Sequence, residues 1–181
     1  EGAVVLVLEE GEAARARGAT LLGEIVGYGA SSDAFNLTEP AVDGQVRSMR
    51  AALGDAGIGP SAVGYVNAHA TATLAGDIVE IRAIKEAFGP HARRLAVSST
   101  KSMHGHLVGA AGALELGITL LALAAGRVPP TANLTDPDPE CDLDCVPLHG
   151  REVPDLEYAI SNSFGLESSN FSLMVRRAPT L

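Results

Sequence analysis

The sequence predicts an α/β protein, in which a sheet carries helices packed on its faces. Short apolar runs rich in β-branched residues alternate along the 181-residue chain with segments whose apolar residues recur at helical spacing, an order typical of this class. Polar stretches containing histidine and lysine follow several of the predicted strands, where α/β proteins place their sites. We expect a chain of this length to form one domain with a substantial core.

Six segments are predicted to be strands, because they are short, largely apolar and bounded by turn-forming residues. They are 3–8, 21–29, 63–69, 94–99, 158–164 and 171–177. A polar loop that contains Pro40 and Gly44 follows the second segment. The Pro-rich stretch GRVPPTANLTDPDPECDLD precedes the fifth and is expected to be a surface connection.

Three segments are predicted to be helices, at 45–55, 77–88 and 107–125. The second is amphipathic, with Ile81, Ile84 and Phe88 on one stripe. The third is apolar almost throughout, and we expect it to be buried at the centre of the fold.

The composition excludes several classes of protein. The net charge is −9, from 13 Lys and Arg against 22 Asp and Glu, whereas nucleic-acid binding needs clustered basic residues. A hydrophobic content of 46% excludes a disordered chain. Cys141 and Cys145 lie in an acidic run without a nearby histidine, which is a poor zinc site and a poor setting for a reactive thiol. Both are therefore expected to be structural.

The apolar segment 107–125 also invites a membrane interpretation. Glu115 and three glycines interrupt it, so we expect it to fall short of the roughly 20 strongly apolar residues that a membrane span needs. The amino terminus shows no basic leader of a signal peptide, and these features predict a cytoplasmic protein. Because the chain opens inside a predicted strand, it is expected to be a fragment or one half of a larger unit.

Three polar stretches at strand ends are the candidate sites: NAHATATLAGD, STKSMHGH and SNSFGLESSN. They supply His69, Lys101 and His106, which residue chemistry alone allows to be metal ligands, acid–base groups or donors to an oxyanion. Metal binding is disfavoured because a third ligand at metal spacing is missing. Histidines that merely pack in the core are a further alternative, but buried lysines are rarely there for packing.

The same stretches, together with PPTANL and CDLDCVP, resemble the C-terminal half of the elongating β-ketoacyl-acyl-carrier-protein synthases, which have the thiolase fold. The resemblance covers essentially the whole chain and consists of several ordered motifs. It implies a mixed β-sheet with helices on both faces, with residues 1–181 forming the C-terminal half-domain. The nucleophilic cysteine would belong to an N-terminal half that this chain does not contain.

The resemblance also implies roles for individual residues in a decarboxylative Claisen condensation. His69 and His106 match the two histidines that stabilise negative charge on the malonyl thioester oxygen. Lys101 matches the lysine that sets their protonation, and Glu115 matches its buried partner; each charge makes the other tolerable.

Further roles concern the substrate's carrier. Thr71 and Thr73 match the threonines that bind the phosphopantetheine arm. No cofactor is implied beyond phosphopantetheine, which the acyl carrier protein brings, and no metal.

The sequence departs from the family in three places. Ala70 stands where the family has glycine, and His104 stands where it usually has threonine, so His104 is expected to lie outward or behind the site. The family's glycine-rich gate and oxyanion loop, G-F-G-G-T-N, is GLESSN here. Of its predicted site residues Phe164, Gly165, Leu166 and Glu167, the last replaces a glycine, and non-glycine residues at left-handed φ cost about 1 kcal/mol or more.

Two functions therefore remain open at this point. The first is a catalytic half of a condensing acyltransferase. The second is a non-catalytic partner similar to the chain-length factors, which shape the acyl tunnel beside a ketosynthase. Intact His69 and His106 favour the first, and GLESSN favours the second.

The implied partners are an acyl carrier protein, the N-terminal ketosynthase half and a second ketosynthase-like subunit in a homodimer or heterodimer. A carrier protein is acidic, so a basic patch is expected near the mouth of the site. The candidates for it are Arg47, Arg50, Arg82 and Lys85.

Overall fold

The fold is a five-stranded mixed sheet with helices on both faces, as predicted. The structure is a computed structural model that describes residues 1–34, 36, 38–165 and 169–178. The strands of the main sheet lie in the order β1-β7-β6-β2-β3. Their bounds are β1 Gly23–Ser32, β2 Val63–Asn67, β3 Ala96–Ser98, β6 Tyr158–Phe164 and β7 Ser169–Arg177; β4 Arg127–Val128 and β5 Arg151–Glu152 form a separate small pair.

The direction of the strands brings the predicted sites to one edge. β2 is parallel to both of its neighbours, β3 and β6, while β7 runs antiparallel to β6 and to β1. The carboxyl ends of β2, β3 and β6 therefore meet at the same edge of the sheet. Those ends lead into the stretches that contain His69, Lys101 and Phe164.

The helices divide between the two faces of the sheet. Their bounds are α1 Gly11–Ala16, α2 Val42–Asp55, α3 Gly76–Phe88, α4 Lys101–His104 and α5 Ala111–Ala125, with 3-10 turns at Pro60–Ala62, Gly89–Arg94 and Val108–Ala110. The helices α2 and α3 bury one apolar cluster against the sheet, around Met49 and Ile84. On the other face α5 buries a second cluster, around Leu116 and Leu123.

Helix α5 is the apolar segment that invited a membrane interpretation. By length and composition alone, residues 108–125 could cross a membrane, since their mean hydropathy is 1.8. The expectation that they fall short of this requirement is therefore wrong. What marks α5 as a core helix is its packing, because Leu116, Leu120 and Leu123 are buried against the sheet. The helix is buried along this side only, and Leu121 is 56% exposed.

The predicted strand at 3–8 is absent. This segment pairs with no strand among the described residues, and Val5 and Val7 are 88% and 82% exposed. Apolar, β-branched composition favours a strand only where a neighbouring strand accepts its backbone hydrogen bonds. Helix α1 and the pair β4–β5 were not predicted from the sequence, because each is too short for a periodic pattern.

Candidate active site

A buried carboxylate holds the turn that presents His69. This histidine lies two residues beyond the end of β2, and its backbone N–H donates to Oε1 of Glu80 at 3.0 Å. The N–H of Ala70 donates to Oε2 of the same carboxylate at 2.8 Å, and Nδ2 of Asn162 donates to Oε1 at 3.1 Å. Glu80 is only 3% exposed. Burial raises its pKa, and these hydrogen bonds oppose that effect.

Glu80 was missed by the sequence reasoning, although a signal was present. It lies one helical turn before Ile84 on the buried stripe of α3, where an acid needs a hydrogen-bond partner. Its partner Asn162 lies in the quoted motif SNSFG and accepts at Oδ1 from the hydroxyl of Ser172 at 2.9 Å. A chain of buried polar groups therefore joins α3, β6 and β7 behind the His69 turn.

His106 is held by different means. It lies between α4 and the following 3-10 turn, and its side chain is exposed. The backbone N–H of Val108 donates to Nδ1 of His106 at 3.3 Å. Val108 adopts a φ of +51°, which is costly for a β-branched residue. Because Nδ1 accepts a hydrogen bond, the proton of the neutral ring resides on Nε2.

The two imidazoles meet in one cleft. Their ring centroids are 5.4 Å apart and their planes stand at 85°. The ring of Phe164 lies 6.3 Å from that of His69. Nδ1 of His69 is buried without a hydrogen-bond partner among the described residues, which leaves Nε2 to face the cleft. The cleft has a volume of about 490 Å³, and its lining includes Thr71, Thr73 and Gly165.

Lys101 and Glu115 form a buried ion pair behind the cleft. Nζ of Lys101 lies 2.5 Å from Oε1 of Glu115, with the side chains 5% and 1% exposed. At this distance the two opposite charges form an ion pair. Neither residue lines the cleft. Burial raises the pKa of Glu115, and the Lys101 charge opposes that rise.

The environment keeps both histidines neutral. Burial lowers the pKa of His69 to about 3, with smaller contributions from the charge of Lys101 and from His106. Burial and then Lys101 also lower the pKa of His106. Each ring is therefore uncharged at neutral pH and able to donate one hydrogen bond into the cleft.

The predicted phosphopantetheine residues lie on the wall of the same cleft. The hydroxyls of Thr71 and Thr73 are 3.3 Å apart. Between them Ala72 adopts a φ of +59°, and its N–H donates to Oδ1 of Asp77 at 3.1 Å. This turn directs two hydroxyls to one side of the loop.

The gate loop is described only at its two ends. The N–H of Gly165 donates to the carbonyl of Ser169 at 2.7 Å. Nδ2 of Asn170 donates to Oδ1 of Asp33 at 2.8 Å. The predictions for Leu166 and Glu167 fall outside the described residues.

His104 does not line the cleft, and the two cysteines are not activated. Both ring nitrogens of His104 contact neighbouring protein groups. Burial raises the pKa of Cys145 to about 11 and, with acidic neighbours, raises that of Cys141. Burial is the larger cause for both, ahead of the acids that the sequence pointed to. Over the residues with defined positions, no cluster of three His, Cys, Asp or Glu could hold a metal.

The four cations of the predicted basic patch each lie next to a carboxylate. Arg47 pairs with Asp43 and Lys85 with Asp142. The other two candidates also contact carboxylates: Arg50 lies 3.6 Å from Glu86, and Arg82 lies 2.6 Å from Glu140. None of the four lines the cleft. For Arg82 and Lys85 the partners come from the 138–142 loop, which sequence spacing does not show.

Comparison with known proteins extends these observations. The family described as the β-ketoacyl synthase, C-terminal domain, matches residues 22–135. The chain is 50% identical over 179 residues to 3-oxoacyl-[acyl-carrier-protein] synthase 2 of Synechocystis sp., covering 98% of this chain and 43% of the relative. It is 51% identical over 177 residues to nodulation protein E of Rhizobium sp., covering 98% and 44%.

Solved structures agree with the sequence matches. A β-ketoacyl synthase from Burkholderia phymatum superposes with a TM-score of 0.89 at 42% identity, covering 94% of this chain and 41% of that one. A type II polyketide acyl-carrier protein in complex with its ketosynthase, AntDE:AntF, gives 0.91 at 36% identity, covering 94% and 42%. The ishigamide ketosynthase/chain length factor gives 0.89 at 38%, covering 93% and 41%. The chain spans less than half the length of these proteins.

Proposed function

The chain belongs to the β-ketoacyl synthase family, as its C-terminal domain, and on that premise we propose that the full-length protein is a condensing acyltransferase. Its reaction is the decarboxylative Claisen condensation of an acyl thioester with malonyl-acyl-carrier-protein, in fatty-acid or type II polyketide synthesis. This chain supplies the two histidines and the lysine. The N-terminal half supplies the cysteine that holds the acyl group.

One observation carries the proposal: two neutral imidazoles open into one cleft, with rings 5.4 Å apart. In the reaction, the bond between the malonyl carboxylate and its α-carbon breaks, carbon dioxide leaves, and the electron pair forms an enolate on the thioester. The Nε2–H groups of His69 and His106 donate to the enolate oxygen. Preorganised donors of this kind act where charge develops. The enolate carbon then attacks the acyl carbonyl, and the cysteine thiolate departs.

Lys101 helps to keep these donors neutral without itself lining the cleft. Burial lowers the pKa of both imidazoles and the Lys101 charge lowers it further, while the carboxylate of Glu115 balances that charge away from solvent. A protonated imidazole would attract the malonyl carboxylate and resist its departure as neutral carbon dioxide. Neutral donors favour the enolate instead.

The substrate arrives on the phosphopantetheine of an acyl carrier protein, whose arm binds Thr71 and Thr73. The carrier's acidic surface finds no free basic patch among the four predicted cations, since each is paired. The docking charges then come from other cations of this chain, from the N-terminal half or from the second subunit of a homodimer or heterodimer. A cytoplasmic location follows from such a partner.

The test is the decarboxylation of malonyl-acyl-carrier-protein by the full-length protein. His69→Ala should lower the rate by at least about 100-fold, the loss typical of one oxyanion donor. His149→Ala is the matched control, because this histidine is exposed and does not line the cleft. A His69→Ala variant with wild-type turnover would refute the proposal.

A second function is favoured by the GLESSN sequence and by the similarity to a ketosynthase/chain length factor. In it, the protein is a non-catalytic subunit that shapes the acyl tunnel of a partner. The residue at the nucleophile position of the N-terminal half separates the two. Cysteine supports the enzyme, and any other residue supports the tunnel subunit.

A further inference from the structure

The ring of His104 forms hydrogen bonds to two residues, Thr100, which precedes Lys101, and Gly105, which precedes His106. Its Nδ1 lies 2.7 Å from the carbonyl oxygen of Gly105, and its Nε2 lies 3.1 Å from Oγ1 of Thr100. A carbonyl oxygen only accepts, so Nδ1 is protonated and donates. In the neutral ring Nε2 then accepts from the Thr100 hydroxyl, which is fully buried.

The carbonyl that His104 binds belongs to the peptide group that carries the nitrogen of His106. Gly105, which precedes that peptide, has a φ of +75°, a conformation open to glycine because it lacks a Cβ, and glycine restrains its own backbone less than other residues do. Helix α4 has only four residues, Lys101–His104, and a single turn has little stability of its own. The direction of His106 therefore depends on contacts that fix this peptide plane.

Two contacts hold Gly105. One fixes the preceding peptide group, through the bond from the Gly105 N–H to the Lys101 carbonyl at 2.8 Å. The other is the His104 ring, which binds the opposite end of the same residue and is anchored by Thr100 in the core. His104 does not line the cleft, so it acts on the site only through these backbone and hydroxyl contacts.

We infer that His104 is a positioning residue, whose ring ties the Thr100 hydroxyl to the peptide between Gly105 and His106 and so fixes how His106 faces the cleft. The inference rests on the proposed function, since it assigns His104 to the decarboxylation step. It also gives this chain's replacement of the family's threonine a physical role. His104 itself touches no substrate.

The two ring nitrogens can be tested separately in the full-length protein. In His104→Asn the amide nitrogen occupies the place of Nδ1 and keeps the Gly105 bond. In His104→Gln the amide reaches the place of Nε2 and keeps only the Thr100 bond, and His104→Ala loses both. His149→Ala again serves as the control.

The kinetic readout is decarboxylation of malonyl-acyl-carrier-protein. We expect kcat to fall about 10- to 100-fold in His104→Ala and His104→Gln, because misplacing a reacting group by about 1 Å costs this much. KM should change less than about twofold, and His104→Asn should retain kcat within about threefold. Equal losses in the Asn and Gln variants, unchanged kcat in all three, or a change confined to KM would each overturn the inference. If the Ala variant does not fold, the comparison of Asn with Gln decides.

A second readout does not depend on activity. In ¹⁵N-histidine NMR, His106 of the wild type and of His104→Asn should show one Nε2–H tautomer, whereas His104→Gln should show shifted or averaged ring nitrogens. Identical His106 spectra in all variants would overturn the inference. If the wild-type protein does not decarboxylate the substrate, the proposed function fails and these spectra alone decide whether His104 positions His106.

Discussion

The two histidines of the cleft are presented by two turns whose backbones are held in place by different contacts. The His69 turn is held from behind by a buried carboxylate, which accepts its backbone N–H and that of Ala70. The His106 turn is exposed and is held by its own neighbours, through the Val108 N–H and the His104 ring. Burial lowers the pKa of both histidines, and the Lys101 charge adds to that effect for each of them.

The difference teaches that rigidity at this edge has two sources. The His69 turn derives it from burial, so its support extends through Asn162 into the core of the sheet. The His106 turn derives it from local backbone geometry, including a strained φ at Val108. Changes to Lys101, the element shared by both regions, should therefore affect both histidines. Changes to Glu80 should affect only His69, and changes to the neighbours of His106 should affect only His106.

The largest effect is expected from the shared element. Lys101→Met leaves the Glu115 carboxylate buried without its partner, and breaking such a pair costs about 3–5 kcal/mol. Urea unfolding of the full-length protein should show this loss. The double variant Lys101→Met/Glu115→Leu should recover most of it, because no charge then remains buried. Equal stability of the single and double variants would show that the ion pair is not what holds this region.

The next effect should be confined to the His69 turn. Glu80→Ala removes the acceptor of two backbone N–H groups, and leaving a buried group unpaired costs about 1–3 kcal/mol. Decarboxylation should fall with stability, while the ¹⁵N spectrum of His106 stays unchanged. Glu80→Gln, which retains one acceptor oxygen, should lie between wild type and alanine. A His106 spectrum altered by Glu80→Ala would mean that the two regions are not independent.

How much of this arrangement the sequence predicts depends on the range of the interactions. Helices α2 and α3 and strand β6 were predicted almost to their ends, because periodicity and turn residues are local signals. The meeting of His69 with His106 followed from the resemblance to a known family. The paired state of Arg82 and Lys85, and the Glu80 contact with the His69 turn, join residues far apart in sequence. The segment 3–8 shows the same limit, since strand composition does not supply a strand partner.

The smallest effect is expected at Val108. Its left-handed φ costs an L-residue roughly 1–2 kcal/mol, and glycine removes that cost but gains entropy in the unfolded chain, about 0.4–1 kcal/mol. Val108→Gly should therefore stabilise the full-length protein by up to about 1 kcal/mol, and decarboxylation should change less than about twofold because the N–H to His106 remains. Val108→Ala keeps a Cβ and should bring no gain. A destabilised glycine variant would show that the valine side chain, and not its backbone, is what matters.

The central claim is that burial and the Lys101 charge keep His69 neutral in the cleft, and ¹⁵N-histidine NMR of the full-length protein tests it most directly. His69, assigned by comparison with His69→Gln, should remain neutral from pH 7.5 down to pH 5, because its pKa is lowered to about 3. In Lys101→Met/Glu115→Leu the pKa of His69 should rise, because the Lys101 charge that lowers it is gone, whereas Glu115, the other charge removed, is not among the groups that shift it. A wild-type His69 that takes up a proton near pH 6.5, the value of a free imidazole, would contradict the account.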